Sequence, residues 1–238
     1  MNDAPTVPSG RDQDKVWDYF QTDGSWIFEM AVPRLDHLYR RAVRFASGRR
    51  LAVLNIGIGN GWLEDRCREN GWDVFALDPN FAAAHGVGGR GGHGLVGGIE
   101  ALPFRDASFD VVFSSEVFEH LTDDLLERGI REVSRVLKPD GILLGTVPFE
   151  EPLLMRQTVC PRCELVHHAY GHHQSFSATR LTSIFGAAGL SRTQTRVRAF
   201  PGFRRRNFPG KLKSLVWVVF GRFGSQAADS KIVFAARR

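Results

Sequence analysis

Five short apolar runs punctuate the chain: Leu51–Ile56, Asp73–Leu77, Leu95–Gly98, Phe109–Ser115 and Ile142–Pro148. Helical patterns stand between the first and second runs (Asn60–Asn70) and between the fourth and fifth (Asp123–Leu137), the latter with Leu125, Leu126, Ile130, Val133 and Leu137 at helical spacing. Strands reached through helices pair in parallel by right-handed crossovers, so this order predicts a mostly parallel sheet covered on both faces. Ser191–Ala199 and Lys231–Ala236 read as two late strands after a helix at Ala178–Ala188, giving seven strands in all. The predicted class is therefore α/β: a doubly wound, mostly parallel seven-stranded sheet. Its 238 residues suffice for one domain with a full core and are short for two.

Residues 1–14 are polar and read as a mobile arm, followed by helical stretches at Lys15–Gln21 and Val32–Ser47. We take 1–48 as an arm and helical cap, and 49–238 as the main domain. Gly86–Gly98 holds eight glycines in thirteen residues, and at that density a flexible connection is expected rather than a helix. Pro139-Asp140-Gly141 is turn chemistry. The longest strongly apolar run, Leu215–Phe220, falls far below the roughly 20 residues that cross a bilayer, and the N-terminus lacks the apolar core of a secretory signal. Three cysteines cannot build a disulfide framework. A cytoplasmic protein is the expectation.

The net charge of +5 conceals a division. Gly189–Arg238 carries twelve Lys and Arg against the single acid Asp229, so an acidic body is joined to a basic end. Such an end attracts phosphates, anionic lipid or an acidic partner. Within it, 200–224 combines Arg204, Arg205, Arg206, Lys211 and Lys213 with the apolar Leu215–Phe220, which suits an anionic membrane face, a phosphate-bearing acceptor, or simple packing on the sheet.

The sharpest functional signal is Leu54-Asn-Ile-Gly57-Ile-Gly59-Asn-Gly61, where a buried strand stops, glycines make a turn and a helix begins. Glycine permits backbone angles and close ligand approach that a side chain blocks. Ligands of open α/β sheets lie just outside the carboxyl ends of the strands, where this turn falls. Asp78 closes the next strand, where a carboxylate can accept from both hydroxyls of a ribose. An adenosine-containing ligand is thus indicated. The spacing is G-x-G-x-G, with Trp62 where a dinucleotide fingerprint wants its last glycine, which disfavours NAD and an oxidoreductase.

Together with Gly98-Ile-Glu-Ala-Leu-Pro-Phe104, Ala107–Asp110, Ser114-Ser-Glu-Val-Phe-Glu-His-Leu121 and Arg131–Gly141, this turn makes residues 50–148 resemble the class I S-adenosylmethionine-dependent methyltransferases, especially the small-molecule group. The resemblance implies that 49–238 is a methyltransferase domain in which Gly57, Gly59 and Gly61 approach the methionine and ribose of the cofactor and Asp78 holds the ribose. Gly98 stands where the family often has an acid for the adenine amino group, so the Ile99 backbone and Glu100 are the implied substitutes. Ser115 and Glu116 would border the sulfonium and the substrate mouth. For a hydroxyl acceptor a base is needed, and His120 is the nearest imidazole. The implied acceptor is a small or carrier-linked molecule. The rivals are a nucleic-acid methyltransferase, suggested by the basic end, and a binding module without turnover. Against the first, Ser114-Ser-Glu-Val lacks the Asn/Asp-Pro-Pro-Tyr/Phe motif of many base methylases.

Two cysteines and four histidines crowd into Cys160–His173, within a loop at 158–176. Cys160, Cys163, His168 and His172 have the spacing of four ligands around one tetrahedral ion, with His167 and His173 as alternatives. A closed set predicts structural Zn²⁺; a redox Cys-x-x-Cys pair explains none of the histidines. Cys67 reads as a small buried residue.

Overall fold

The structure, a computed structural model, describes residues 19, 26–200 and 229–238. The arm at 1–14, the predicted helix at Lys15–Gln21 apart from Tyr19, and the basic–apolar stretch 201–224 lie outside the described residues.

Seven strands form one sheet in the order β3-β2-β1-β4-β5-β9-β8. They are β1 (Ala52–Ile56), β2 (Asp73–Asp78), β3 (His93–Val96), β4 (Phe109–Ser115), β5 (Leu137–Pro148), β8 (Ser191–Arg198) and β9 (Lys231–Arg237). The first five run parallel, and β9 is antiparallel to both β5 and β8. Helices α1 (Trp26–Ala46), α2 (Trp62–Glu69), α3 (Phe81–Gly89), α4 (Asp123–Val136) and α5 (Ala178–Ala187) connect or flank them. The doubly wound expectation is met. A separate two-stranded hairpin, β6 (Gln157–Val159) with β7 (Val166–His168), rises from the segment after β5.

The period of two in each strand sends alternate side chains to opposite faces. Leu54, Ile56, Val112, Leu143 and Phe234 join Leu126, Ile130 and Val133 of α4 and Leu181 and Phe185 of α5. Val53, Val111, Phe113, Leu144 and Val233 join Leu38 and Ala42 of α1 and Leu63 and Cys67 of α2. Burying each such Leu, Ile or Phe contributes about 1.5–3 kcal/mol, which is what keeps helices on both faces. Cys67 is buried as expected.

Two stretches depart from the sequence reading. The glycine-dense segment is more ordered than a flexible connection: α3 continues through Gly86, Gly88 and Gly89, and β3 starts at His93. Asn80 caps that helix, its side chain accepting from the Ala83 N–H at 2.9 Å. Glycine suits the close contact that follows, because a Cβ at Gly94 would strike the backbone of Ala84 on α3. The turn expected at Pro139–Gly141 is instead looped out within β5: pairing with β4 jumps from Phe109–Leu137 to Val111–Ile142, with Asp140 at φ 62°. No helix among the described residues is long and apolar enough to cross a membrane.

Candidate cofactor and active site

β1 delivers the glycine turn to the carboxyl edge of the sheet. Gly57, Gly59 and Gly61 all have positive φ, at 83°, 60° and 77°. Each is also crowded. A Cβ at Gly57 would stand 2.6 Å from Val117, one at Gly59 would stand 3.0 Å from the Phe28 ring of α1, and one at Gly61 would collide with the Arg90 guanidinium. Backbone angle and space thus both demand glycine here.

Asp78, at the end of β2, turns its carboxylate toward this loop. Oδ2 accepts the Ile58 N–H and Oδ1 the Asn80 N–H, each at 2.8 Å. The carboxylate therefore ties the turn to the second strand while each oxygen keeps a lone pair for a ligand hydroxyl. Burial raises its pKa above the ordinary aspartate value, against the two N–H donors that lower it. Beneath the turn, Asn55 donates to Glu64 Oε1 at 2.6 Å and to the Gly57 carbonyl at 3.1 Å. Glu64 is buried, and burial pushes its carboxyl up to about 7.

After β3, Ile99 is buried and the Glu100 carboxylate folds into the space that a side chain at Gly98 would fill. A carboxylate from two residues further along thus occupies the space beside position 98.

At the end of β4, hydroxyls and charges form a directed chain. Arg34 Nε donates to Ser115 Oγ at 2.9 Å, Ser115 meets Thr146 Oγ1 at 2.9 Å, and Thr146 donates to Glu116 Oε1 at 2.9 Å. Because Thr146 gives its proton to Glu116, Ser115 donates to Thr146. Lys231 Nζ reaches Glu116 at 2.8 Å, and Arg34 Nη1 lies 3.9 Å from it. Burial alone would raise the Glu116 carboxyl, but Lys231 and Arg34 hold it down to about 2. Glu116 has φ 58°, a strained angle of the kind concentrated at functional sites. Arg34, Thr146 and Lys231 escaped the sequence reading. Lys231 left a signal, a lysine heading the apolar strand Ile232–Ala236; Arg34, one of several arginines on α1, left none.

The one-turn helix Phe118–His120 follows, carrying Glu119 and His120. The Glu119 carbonyl accepts the N–H groups of His173 and Gln174 at 2.7 and 3.1 Å, which fastens this turn to the segment after β7. His120 consequently meets His172, with ring centroids 4.6 Å apart. Burial and His172 push the His120 pKa well below the usual histidine value.

The four expected zinc ligands divide. Cys160 and Cys163 sit together at the tip of the β6–β7 hairpin, where N–H groups of Cys163 and Arg162 and the Cys163 thiol lower the Cys160 pKa. Among the described residues, neither thiol belongs to a set of three or more ligand atoms within 4.8 Å of one another. His168 and His172 instead group with Glu151, a residue the sequence reading did not select. Ligation of one tetrahedral ion by Cys160, Cys163, His168 and His172 does not fit this arrangement, because the hairpin holds its tip away from its base.

The methyltransferase domain family matches residues 54–145. The match opens in β1 and closes inside β5, so it contains the glycine turn, Asp78, Glu100 and the Ser115–His120 segment. A malonyl-[acyl-carrier protein] O-methyltransferase of Erwinia pyrifoliae is 39% identical over 108 residues, covering 44% of this chain and 40% of that protein. A probable S-adenosylmethionine-dependent methyltransferase of Mycolicibacterium smegmatis is 30% identical over 159 residues, or 66% of this chain and 58% of its own length. The chain thus matches less than two thirds of either relative. Among solved structures, 1,6-didemethyltoxoflavin-N1-methyltransferase of Burkholderia thailandensis, with bound 1,6-didemethyltoxoflavin and S-adenosylhomocysteine, superposes with a TM-score of 0.66 at 17% identity, covering 100% of this chain and 93% of that one. The fold is the Rossmann-like methyltransferase fold.

Proposed function

We propose that the chain is an S-adenosylmethionine-dependent methyltransferase whose acceptor is a small or carrier-linked molecule. The observation that carries the reading is the Asp78 carboxylate, fixed by the Ile58 and Asn80 N–H groups beside three glycines with positive φ. A carboxylate so oriented binds a ribose diol without reorganising. Glu100, folded over Gly98, is poised for an exocyclic amino group, and the buried Ile99 flanks the adenine ring. The residues present fit the cofactor, whose sulfonium supplies an already activated methyl group.

The protein's tasks are then to align an acceptor and to exclude water. Phe28 and Arg34 of α1 cover the glycine turn and Ser115, so this helix shields the site from solvent. The Arg34–Ser115–Thr146–Glu116 chain and Lys231 hold the mouth rigid at the reacting end. On this reading the partly exposed His120 and His172, just beyond the end of β4, line the acceptor side.

Isothermal calorimetry of the full chain tests the reading. Binding of S-adenosylhomocysteine together with no binding of NAD(H) is expected; the reverse pattern overturns it. Transfer of labelled methyl groups to a component of a cell extract separates an enzyme from a binding module. A carrier-linked acceptor, as in the name of the Erwinia relative, predicts label on protein rather than on free metabolites.

A further inference from the structure

Glu119, His120 and His172 place a carboxylate oxygen and two ring nitrogens within 4.8 Å of one another. Glu119 has no solvent exposure, and neither of its carboxylate oxygens has a hydrogen-bond partner. Buried carboxyl oxygens are almost always satisfied by a donor or an ion, so a pair left bare beside two imidazoles asks for a cation.

The surroundings support both rings as ligands. His172 Nδ1 is hydrogen-bonded to the Glu151 carboxylate. His120 Nδ1 lies 3.4 Å from the Gly171 carbonyl. An imidazole that donates Nδ1–H to a fixed acceptor carries its lone pair on Nε2 and is held in orientation, which is the outer support that metal-binding histidines use. The alternative group, Glu151 with His168 and His172, fails the same requirement. His168 Nδ1 accepts the N–H groups of Tyr170 and His172 at 3.3 and 3.2 Å, so its proton sits on Nε2, 3.6 Å from Glu151 Oε1. The His168 Nε2–H stands beyond hydrogen-bond reach of Glu151 and offers no lone pair to a metal, whereas Glu151 is the outer acceptor that orients His172.

We propose that Glu119, His120 and His172 bind one divalent first-row transition-metal ion and leave it at least one open coordination position. Two imidazoles and one carboxylate suit such ions better than the all-oxygen preference of Mg²⁺ or Ca²⁺. His120 and His172 are partly exposed, which gives the ion a way in. On the methyltransferase reading the open position faces an oxygen of the acceptor, and His120 serves as a ligand instead of the base expected from sequence. A metal-held hydroxyl gives up its proton to solvent water more readily, so the ion does the work otherwise asked of a side-chain base.

The test uses the full chain with Cys160→Ser and Cys163→Ser, which removes metal binding by the exposed thiols. After chelator treatment, Zn²⁺ and Co²⁺ are titrated and followed by calorimetry and, for Co²⁺, visible absorption. One ion per chain is expected. Glu119→Gln and His172→Ala should abolish it, and Glu151→Gln should weaken it about 10- to 100-fold, as loss of outer support does. Azide added to the Co²⁺ form should shift its visible bands; unshifted bands overturn the open position. No ion in the cysteine-free chain, or an ion unaffected by Glu119→Gln, overturns the site. S-adenosylhomocysteine binding, measured on the same samples, confirms that each variant is folded. It also separates the two ideas: cofactor binding without metal sinks only the metal site, and metal without cofactor binding sinks only the methyltransferase reading.

Discussion

Asp78 carries two burdens on the proposed reading, since the carboxylate that ties the glycine turn to β2 is also the one that would hold the ribose. Asp78→Asn keeps the shape but leaves an amide N–H against one of the backbone donors. Losing charged hydrogen bonds of this kind costs about 1.5–3 kcal/mol each, so S-adenosylhomocysteine affinity should fall at least tenfold in calorimetry. Burial raises the Asp78 pKa, so affinity should also weaken on acidification at a pH above the ordinary aspartate value. Glu64 gives a stability signature of the opposite kind. Its folded pKa of about 7 exceeds the unfolded value near 4.5, so the folded state binds the extra proton between those limits. Stability therefore declines as pH rises through that window, by about 2 kcal/mol between pH 5.5 and 8. In urea melts Glu64→Gln should lose this part of the pH dependence; an unchanged slope would exonerate Glu64.

Among the elements, α3 is the one that depends most on its cap. Three glycines in nine residues weaken its intrinsic propensity, and the Asn80 side chain satisfies one of the open N–H groups at its start. Asn80→Ala should cost about 1 kcal/mol and raise hydrogen exchange across 81–89 before the rest of the sheet opens. The turn after β1 is constrained differently, by angle and by neighbours. Gly57→Ala combines a φ of 83° with a 2.6 Å approach to Val117, and should destabilise by about 1–3 kcal/mol in thermal melts while displacing the turn from the cofactor. A variant as stable as the parent would show that the turn relaxes freely. Helix and strand boundaries in 50–148 were largely legible because period and punctuation agree there. The glycine-rich stretch misled because propensity is local, whereas α3 is held by its cap and by packing on β2 and β3.

At the scale of the molecule, Lys231, Arg34 and Glu116 join β9, α1 and the end of β4 through one buried ion cluster. Lys231→Ala removes the nearest partner of a carboxylate that burial penalises. It should cost about 3 kcal/mol in chemical denaturation, and Glu116→Gln in the same background should recover part of the loss. Of its three members the sequence reading selected Glu116 alone, since the partners come from distant parts of the chain. The order of apolar runs and turns was enough to specify the parallel sheet, its glycine turn and the position of Asp78, because strand, turn and crossover are short-range patterns whose chirality leaves little choice. Which side chains meet at the mouth was a different matter. The spacing of Cys160, Cys163, His168 and His172 suggested one ion among four neighbours, yet the hairpin keeps the thiols at its tip, and the docking of His173 and Gln174 on the Glu119 carbonyl brings His172 to His120. Contacts between segments far apart in the chain are set by packing and hydrogen bonds across the whole core, and no window of sequence contains them.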